Sequence, residues 1–199
     1  AGGLFFALGL LTMYKGFLQS EVSHSGPLLG AVTPFFVLIL STIFLAEHLT
    51  AYQVAGIFIL IIGSLLVSFE KSRTHHGLHI GMLWVVFSGL LFAISHVASK
   101  YVYDYHGFFT GLVWTRGFMG IFGVLLLFHP TVRQTLFKKQ KKVKTKKSFK
   151  SFGSQFTLVF SSRILAVVGV LLIQYAIAIG SVTIVNALAG IQFAVLIIL

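Results

Sequence analysis

The sequence predicts an all-α integral membrane protein with seven visible transmembrane helices. Hydrophobic residues make up 57% and charged residues only 10% of the 199-residue chain, whereas a soluble domain carries about 25% charged residues. The apolar residues are gathered into runs of about 20, the length at which a helix crosses the roughly 30 Å hydrocarbon core of a bilayer. Transmembrane strands would need segments of about 10 residues with alternating polarity, and the sequence has none.

The apolar runs define the expected helices. The segments are 1–18, 27–46, 52–69, 80–99, 107–128, 156–180 and 182–199. The second and third are joined only by the elbow EHLTAYQ, so they should lie antiparallel and in contact. Gly56 and Gly63 are expected to let their backbones approach closely. Glu47, in the elbow, is expected to accept hydrogen bonds from the backbone amides that begin the third span.

The net charge of +11 is concentrated in some of the connections. If the first span ends at one face of the membrane, that face receives Lys15, Lys71, Arg73, Arg133 and the lysine run KKQKKVKTKKSFK at 138–150, while the other receives Lys100. The positive-inside rule places the basic face in the cytoplasm of a plasma-membrane protein. We expect the lysine run to lie on anionic lipid, at about 1 kcal/mol per residue, rather than on nucleic acid or a partner protein.

Residues 8–40 and 168–199 share a layout. Each has a glycine, an apolar run with a tyrosine, a short polar break and a second apolar run that contains Val-Leu-Ile. Tyr14 corresponds to Tyr175, and Phe35 to Phe193. An odd number of helices starts between the copies, so they should be inserted in opposite orientations, as in inverted-repeat transporters. A complete chain of about 300 residues with ten spans is expected, with two spans before Ala1 and one after Leu199.

Three segments carry a family resemblance. Residues 27–69, with Pro34 and Glu47, and the stretches GLLFAISHVASKYVYD and VWTRGFMGIFGVLLL, with Arg116 in the latter, resemble the EamA family of the drug/metabolite transporter superfamily. Phe92 departs from the tryptophan that is usual in the family. The resemblance implies two five-helix inverted halves around a central cavity and ATP-independent transport of small metabolites. It also implies that both chain ends are cytoplasmic, whereas the charge count places them outside.

The resemblance divides the chain into two parts. Residues 1–70 would be the last three helices of the first repeat, and 71–79 a connector. Residues 80–199 would be the first four helices of the second repeat, with a lysine-rich loop at 129–155.

Polar side chains inside spans are costly, so they are the candidates for lining a substrate cavity. The fourth span carries a polar and aromatic stripe at helical spacing: Trp84, Ser88, Phe92, Ser95, His96 and Ser99. The stripe is expected to face the cavity, although small serines also serve helix packing. His96 can relay a proton or can be a hydrogen-bonded packing residue.

Other uncharged polar residues are equally suited to binding a polar substrate or to joining helices. They are Tyr14, Thr33, Gln174, Tyr175, Asn186 and Gln192. Pro34 removes a backbone hydrogen bond and is a candidate hinge. Arg116 is expected to be a structural anchor, with anion binding as the alternative.

The charge of the spans favours one class of substrate. Glu21, Glu47, Glu70 and Asp104 all border connections, so no carboxylate stands in mid-span to balance a cation. The sequence therefore predicts a secondary transporter for neutral, zwitterionic or anionic metabolites such as amino acids, with no cofactor and with a proton or another coupling ion. A channel or a non-transporting scaffold is the alternative.

An intramembrane enzyme or a metal site has less support. The spans contain no clustered metal ligands and no nucleophile paired with a base. His75, His76 and His79 cluster on a connector, where a weak adventitious metal site or interfacial residues explain them better. The chain has no cysteine, which excludes disulfides and thiolate metal sites.

Overall fold

A computed structural model describes residues 2–68, 80–128 and 151–192, and these residues contain helices but no strands. The helices are α1 Gly2–Gln19, α2 Val22–Phe44, α3 Ala51–Ser68, α4 Ile80–His106, α5 Phe108–Leu127, α6 Ser151–Ile179 and α7 Val182–Leu188. The all-helical prediction is confirmed for this part of the chain. The lysine run and the cluster of His75, His76 and His79 lie outside the described residues.

Fewer helices qualify as membrane spans than the sequence predicted. Among the described residues, five helices are long and apolar enough to cross a bilayer, namely α2, α3, α4, α5 and α6. Helix α1 has 18 residues but carries Lys15 and Gln19 near its end. The predicted seventh span begins as α7, which has 7 residues, and residues 193–199 of that span lie outside the described part of the chain. The described structure therefore supports five of the seven expected spans.

Helices α2 and α3 form the expected antiparallel pair. The start of α2 meets the end of α3, where Ser68 Oγ donates to the His24 carbonyl at 2.8 Å and His24 Nδ1 lies 3.0 Å from the Ser68 carbonyl. The expectation for Gly56 and Gly63 is wrong, because a Cβ added at either would meet no atom of the described residues within 4 Å. Larger side chains make the contact instead: Ala31, Ile57 and Ile61 share one buried cluster.

The expectation for Glu47 is also wrong. Thr50 and Gln53 cap the start of α3, with the Thr50 amide donating to Gln53 Oε1 at 2.8 Å and the Gln53 amide donating to Thr50 Oγ1 at 3.4 Å. Ala46, at φ 49°, takes a left-handed conformation that ends α2. The chain turns there, and the Glu47 carboxylate accepts a hydrogen bond at 2.7 Å from Thr183 in α7.

Helix α1 packs along α4 at backbone distance and in the opposite direction. A Cβ on Gly16 would lie 2.7 Å from Cγ2 of Val85, near the start of α4. At the other end of α1, a Cβ on Gly2 would lie 3.2 Å from Oγ of Ser99. Small residues that bring two membrane helices this close allow side chains to bond the facing backbone, and Ser88 donates to the Gly9 carbonyl at 2.8 Å.

Two similar connections lie at opposite ends of α4. Ser20 and Glu21 join α1 to α2, and Gly180 and Ser181 join α6 to α7. The cap residues have nearly the same conformation, with φ −66°, ψ 128° at Glu21 and φ −73°, ψ 123° at Ser181.

Contacts with α4 fix the position of each connection. The first touches the start of α4, since a Cβ on Gly81 would lie 2.9 Å from Ser20 Cβ. The second lies towards the end of α4, where Lys100 Nζ donates to the Ala178 carbonyl at 3.0 Å. The pair α1–α2 and the pair α6–α7 therefore run in opposite directions along α4.

Candidate functional site

Helices α1, α2, α4 and α7, with the residues that follow α7, line an open cavity of about 210 Å³. Its lining residues are Phe6, Gly26, Leu29, Gly30, Thr33, Pro34, Phe92, His96, Asn186, Ala189 and Gln192. None of these residues carries a carboxylate. The cavity therefore offers neutral hydrogen-bonding groups set among apolar and aromatic walls, which is the usual composition of a small-molecule site.

Aromatic side chains from α1 and α4 form one wall. The ring of Phe6 lies 5.1 Å from that of Phe92, tilted by 56°, and 6.3 Å from the His96 ring in an edge-to-face arrangement. Gly9 makes room for the Phe92 ring, because a Cβ at this position would lie 2.9 Å from the ring atoms. The close packing of α1 on α4 thus fixes the aromatic wall.

Helix α2 contributes backbone groups as well as side chains to the lining of the cavity. Pro34 is buried inside α2 and has no N–H to donate to the Gly30 carbonyl, one helical turn earlier. Both residues line the cavity, and Thr33 lies beside them. The proline therefore leaves the Gly30 carbonyl without its usual donor in the helix, in a region where a polar backbone group needs a partner.

The short helix α7 is anchored by polar contacts. Ser181 caps it by accepting a hydrogen bond from the Ile184 amide at 3.1 Å, and the Thr183 hydroxyl lies 2.7 Å from that of Ser41 in α2. Asn186 is 9% exposed and donates from Nδ2 to the Val182 carbonyl at 2.8 Å. This bond orients the side chain and does not use its amide oxygen.

A second, smaller pocket of about 10 Å³ lies between α1, α4, α5 and α6. Its lining consists of Gly3, Phe6, Ser95, Ser99, Thr115, Arg116, Met119 and Gln174. The Arg116 guanidinium carbon stands 5.4 Å from the centre of the Phe6 ring, and Nη1 lies 3.8 Å from Met119 Sδ. Phe6 contributes to both the pocket and the larger cavity.

The structure brings together only part of the residues that the sequence singled out. Thr33, Pro34, Phe92, His96, Asn186 and Gln192 line the cavity, and Ser95, Ser99, Arg116 and Gln174 line the smaller pocket. Tyr14 and Tyr175 do neither and are 61% and 49% exposed.

The residues of the predicted stripe on α4 do not share one environment. Lys15 Nζ covers the Trp84 ring at 3.7 Å. Ser88 and Ser95 donate to backbone carbonyls of α1, each at 2.8 Å. Phe92 and His96 alone of this stripe line the larger cavity. The serines thus join helices, as the alternative interpretation held.

Sequence reasoning missed Phe6, Tyr103 and Thr183. Phe6 is one of 21 phenylalanines, so its residue type does not mark it as part of a cavity. Tyr103 donates to Gln174 Oε1 at 2.9 Å and Thr183 to Glu47 at 2.7 Å. The available signal for Thr183 was its position as a polar residue three positions after the break at Gly180.

Comparison with known proteins identifies the first part of the chain. Residues 1–69 match the family model described as the EamA-like transporter family. No curated protein and no solved structure matches the chain. The matched residues include α1 and α2, which form two walls of the cavity, together with α3. The resemblance expected from the sequence is confirmed for residues 1–69, which match the EamA-like transporter family.

Proposed function

We propose that the chain is part of a secondary active transporter that moves small neutral, zwitterionic or anionic metabolites, such as amino acids, across the plasma membrane. The observation that carries this proposal is the cavity between α1, α2, α4 and α7, with its neutral polar lining. Thr33, His96 and Asn186 can replace water around a polar solute, and Phe6 and Phe92 can pack against its apolar part.

Cavity size and charge narrow the substrate class. A volume of about 210 Å³ is below the roughly 300–1,000 Å³ of sites for drug-sized ligands, which favours molecules the size of an amino acid. A cation in this position would lack a carboxylate among the described lining residues, and an unbalanced charge within the membrane is costly. Both arguments favour metabolites over large cationic drugs.

Alternating access is proposed from the two oppositely directed helix pairs. The pairs α1–α2 and α6–α7 have alike connections at opposite ends of α4, as two inverted repeats would. In this proposal, residues 1–70 and 80–199 belong to the two halves of a ten-helix transporter and the cavity lies between them. Pro34 would be a hinge in α2.

Coupling and membrane attachment complete the proposal. His96 lines the cavity and is the candidate group for relaying a coupling proton, although another ion can serve. The lysine run at 138–150 would lie on anionic lipid.

Transport in proteoliposomes made with the full-length protein tests the proposal. A panel of labelled amino acids and related metabolites is measured for saturable uptake and for exchange against unlabelled substrate, with and without a proton gradient. Saturation and exchange are expected. Flux that does not saturate would indicate a channel, and no flux for any compound would favour a scaffold.

Cavity variants connect the activity to the site. His96→Leu and Gln192→Leu replace polar lining groups and should each raise KM at least about tenfold, which corresponds to about 1.4 kcal/mol. Tyr175→Phe is the matched control, because Tyr175 lies outside the cavity and is 49% exposed. If all three substitutions change KM equally, the cavity is not the site that binds the transported substrate.

A further inference from the structure

Arg116 is a cation within a membrane span that has no ion pair among the described residues. It lies in α5, inside the candidate span Phe108–Leu125, and is partly buried. The described acidic residues are engaged elsewhere. Glu21 pairs with His24 at 3.3 Å, Asp104 with Lys100 at 2.9 Å, and Glu47 accepts from Thr183 at 2.7 Å.

The contacts that Arg116 does make use little of its hydrogen-bonding capacity. A guanidinium has five N–H donors, and its recorded neighbours are the Phe6 ring at 5.4 Å and Met119 Sδ at 3.8 Å. Neither is a strong acceptor. Charged groups inside a membrane protein are normally paired or face water, so the guanidinium needs a further partner.

The hydroxyl groups near Arg116 already donate their hydrogens to backbone carbonyls, so these hydrogens are not available to an anion in the pocket. Ser95 donates to the Gly2 carbonyl, Ser99 to the Ser95 carbonyl and Thr115 to the Gly111 carbonyl, each at 2.8 Å.

Gln174 is 5% exposed and accepts at Oε1 from the Tyr103 hydroxyl at 2.9 Å. This bond fixes the amide oxygen on Tyr103 and leaves the Nε2 hydrogens as donors. Arg116 and Gln174 line the same pocket of about 10 Å³, which is close to the volume that one water-sized species needs.

We propose that Arg116 and Gln174 form a site for one small monovalent inorganic anion, of the size of chloride. The anion neutralises the guanidinium and accepts hydrogen bonds from both side chains. The site is separate from the substrate cavity, and the two share Phe6 as a wall. The anion thus joins α5 and α6 where the described side chains supply no carboxylate.

Thermal unfolding of the full-length protein in detergent tests this site. Chloride, bromide and acetate are titrated against gluconate at constant ionic strength. Chloride and bromide should raise Tm saturably, by about 3 to 6 °C at ten times the dissociation constant. Arg116→Gln should abolish the response, whereas Arg163→Gln, at an exposed arginine of α6, should retain it.

Gln174→Glu keeps the test decisive if Arg116→Gln does not fold. The glutamate has the same shape, can still accept from Tyr103, and brings a carboxylate into the pocket beside Arg116. Its Tm in gluconate should exceed that of the native protein in gluconate, and chloride should raise it no further.

Three outcomes would overturn the proposal. The first is an equal Tm of the native protein in chloride and gluconate. The second is an undiminished halide response in Gln174→Glu or Arg116→Gln. The third is stabilisation by acetate but not by halides, which would assign the pocket to a carboxylate group instead. These measurements use no substrate, so their result is independent of whether transport is found.

Discussion

The connections that follow α1 and α6 lie at opposite ends of α4, but the two helices are attached to α4 differently. Each leads through two residues into the next helix. Helix α1 meets α4 at backbone distance through glycines such as Gly9 and Gly16. Helix α6 is mostly exposed over Thr157–Ile179. It reaches α4 near one end, where Lys100 donates to the Ala178 carbonyl and Tyr103 donates to Gln174.

This difference indicates which part of the molecule can move. Backbones packed at glycines leave no room for adjustment, because interiors are close-packed and respond to even one added methylene. Regions with few buried contacts open at lower free energy. Within the described residues, α1, α2 and α4 therefore form the rigid part, and displacement of α6 costs less than displacement of α1.

The largest expected effect tests the close packing of α1. Gly3 of α1 faces α5, and a Cβ at this position would overlap the backbone carbonyl of Thr115. Gly3→Ala should therefore destabilise the protein by about 3 kcal/mol, the upper end for overpacking, and lower Tm in detergent by about 6 °C or more. Gly169→Ala in α6 is the matched control, since its Cβ would meet nothing within 4 Å. If both variants unfold alike, α1 and α6 do not differ in packing.

A smaller loss is expected where the two helix pairs meet. Thr183 in α7 is fully buried and connects Ser41 with the Glu47 carboxylate through contacts of 2.7 Å each. Thr183→Val should cost about 1–3 kcal/mol, because both polar partners lose a hydrogen bond.

Thr42→Val serves as the control for Thr183→Val. Thr42 is exposed and bonds only the Leu38 carbonyl of its own helix, at 2.8 Å, so its loss should cost less than about 0.5 kcal/mol. The measurement is the difference in Tm between the two variants. A neutral Thr183→Val would mean that this hydrogen-bonded connection does not hold α7 on α2.

The hydrogen bond between α4 and α6 should contribute less to stability than the contacts of Thr183. Tyr103→Phe removes the hydroxyl that donates to Gln174, and hydrogen bonds between membrane helices contribute about 0.6 kcal/mol on average and about 1.7 at most. Tyr105→Phe is the control, because Tyr105 is 69% exposed. A loss from Tyr103→Phe as large as that from Gly3→Ala would contradict the assignment of α6 as the loosely held helix.

The sequence predicted the positions of the helices along the chain far better than the rotation of each helix about its own axis. Run length and polarity locate a span, but lipid and helix packing both accept apolar side chains, so they do not determine which face turns inward. The shared layout of residues 8–40 and 168–199 pairs Tyr14 with Tyr175, and both side chains are exposed. Ser95 and His96 are neighbours in sequence and line different pockets.

Polar residues in mid-span were the more reliable signal. Thr33, His96 and Asn186 do line the cavity, since burying a polar group against lipid is costly. Arg116, Phe6 and Gln174 come from three helices that are far apart in the chain. These three side chains are close together because of how whole helices pack, and the local sequence carries no information about that packing.

The smallest expected effect concerns Gly56 and Gly63 in α3, and it has the opposite sign. Both would be contact glycines by their seven-residue spacing, yet a Cβ at either meets nothing within 4 Å. Gly56→Ala and Gly63→Ala should therefore each stabilise the protein by about 0.5–1 kcal/mol, because alanine loses less conformational freedom in a helix than glycine does. Tm should rise slightly in both variants. A fall in Tm would mean that another helix or a second copy packs on this face of α3, which would extend the closely packed part of the molecule beyond α1, α2 and α4.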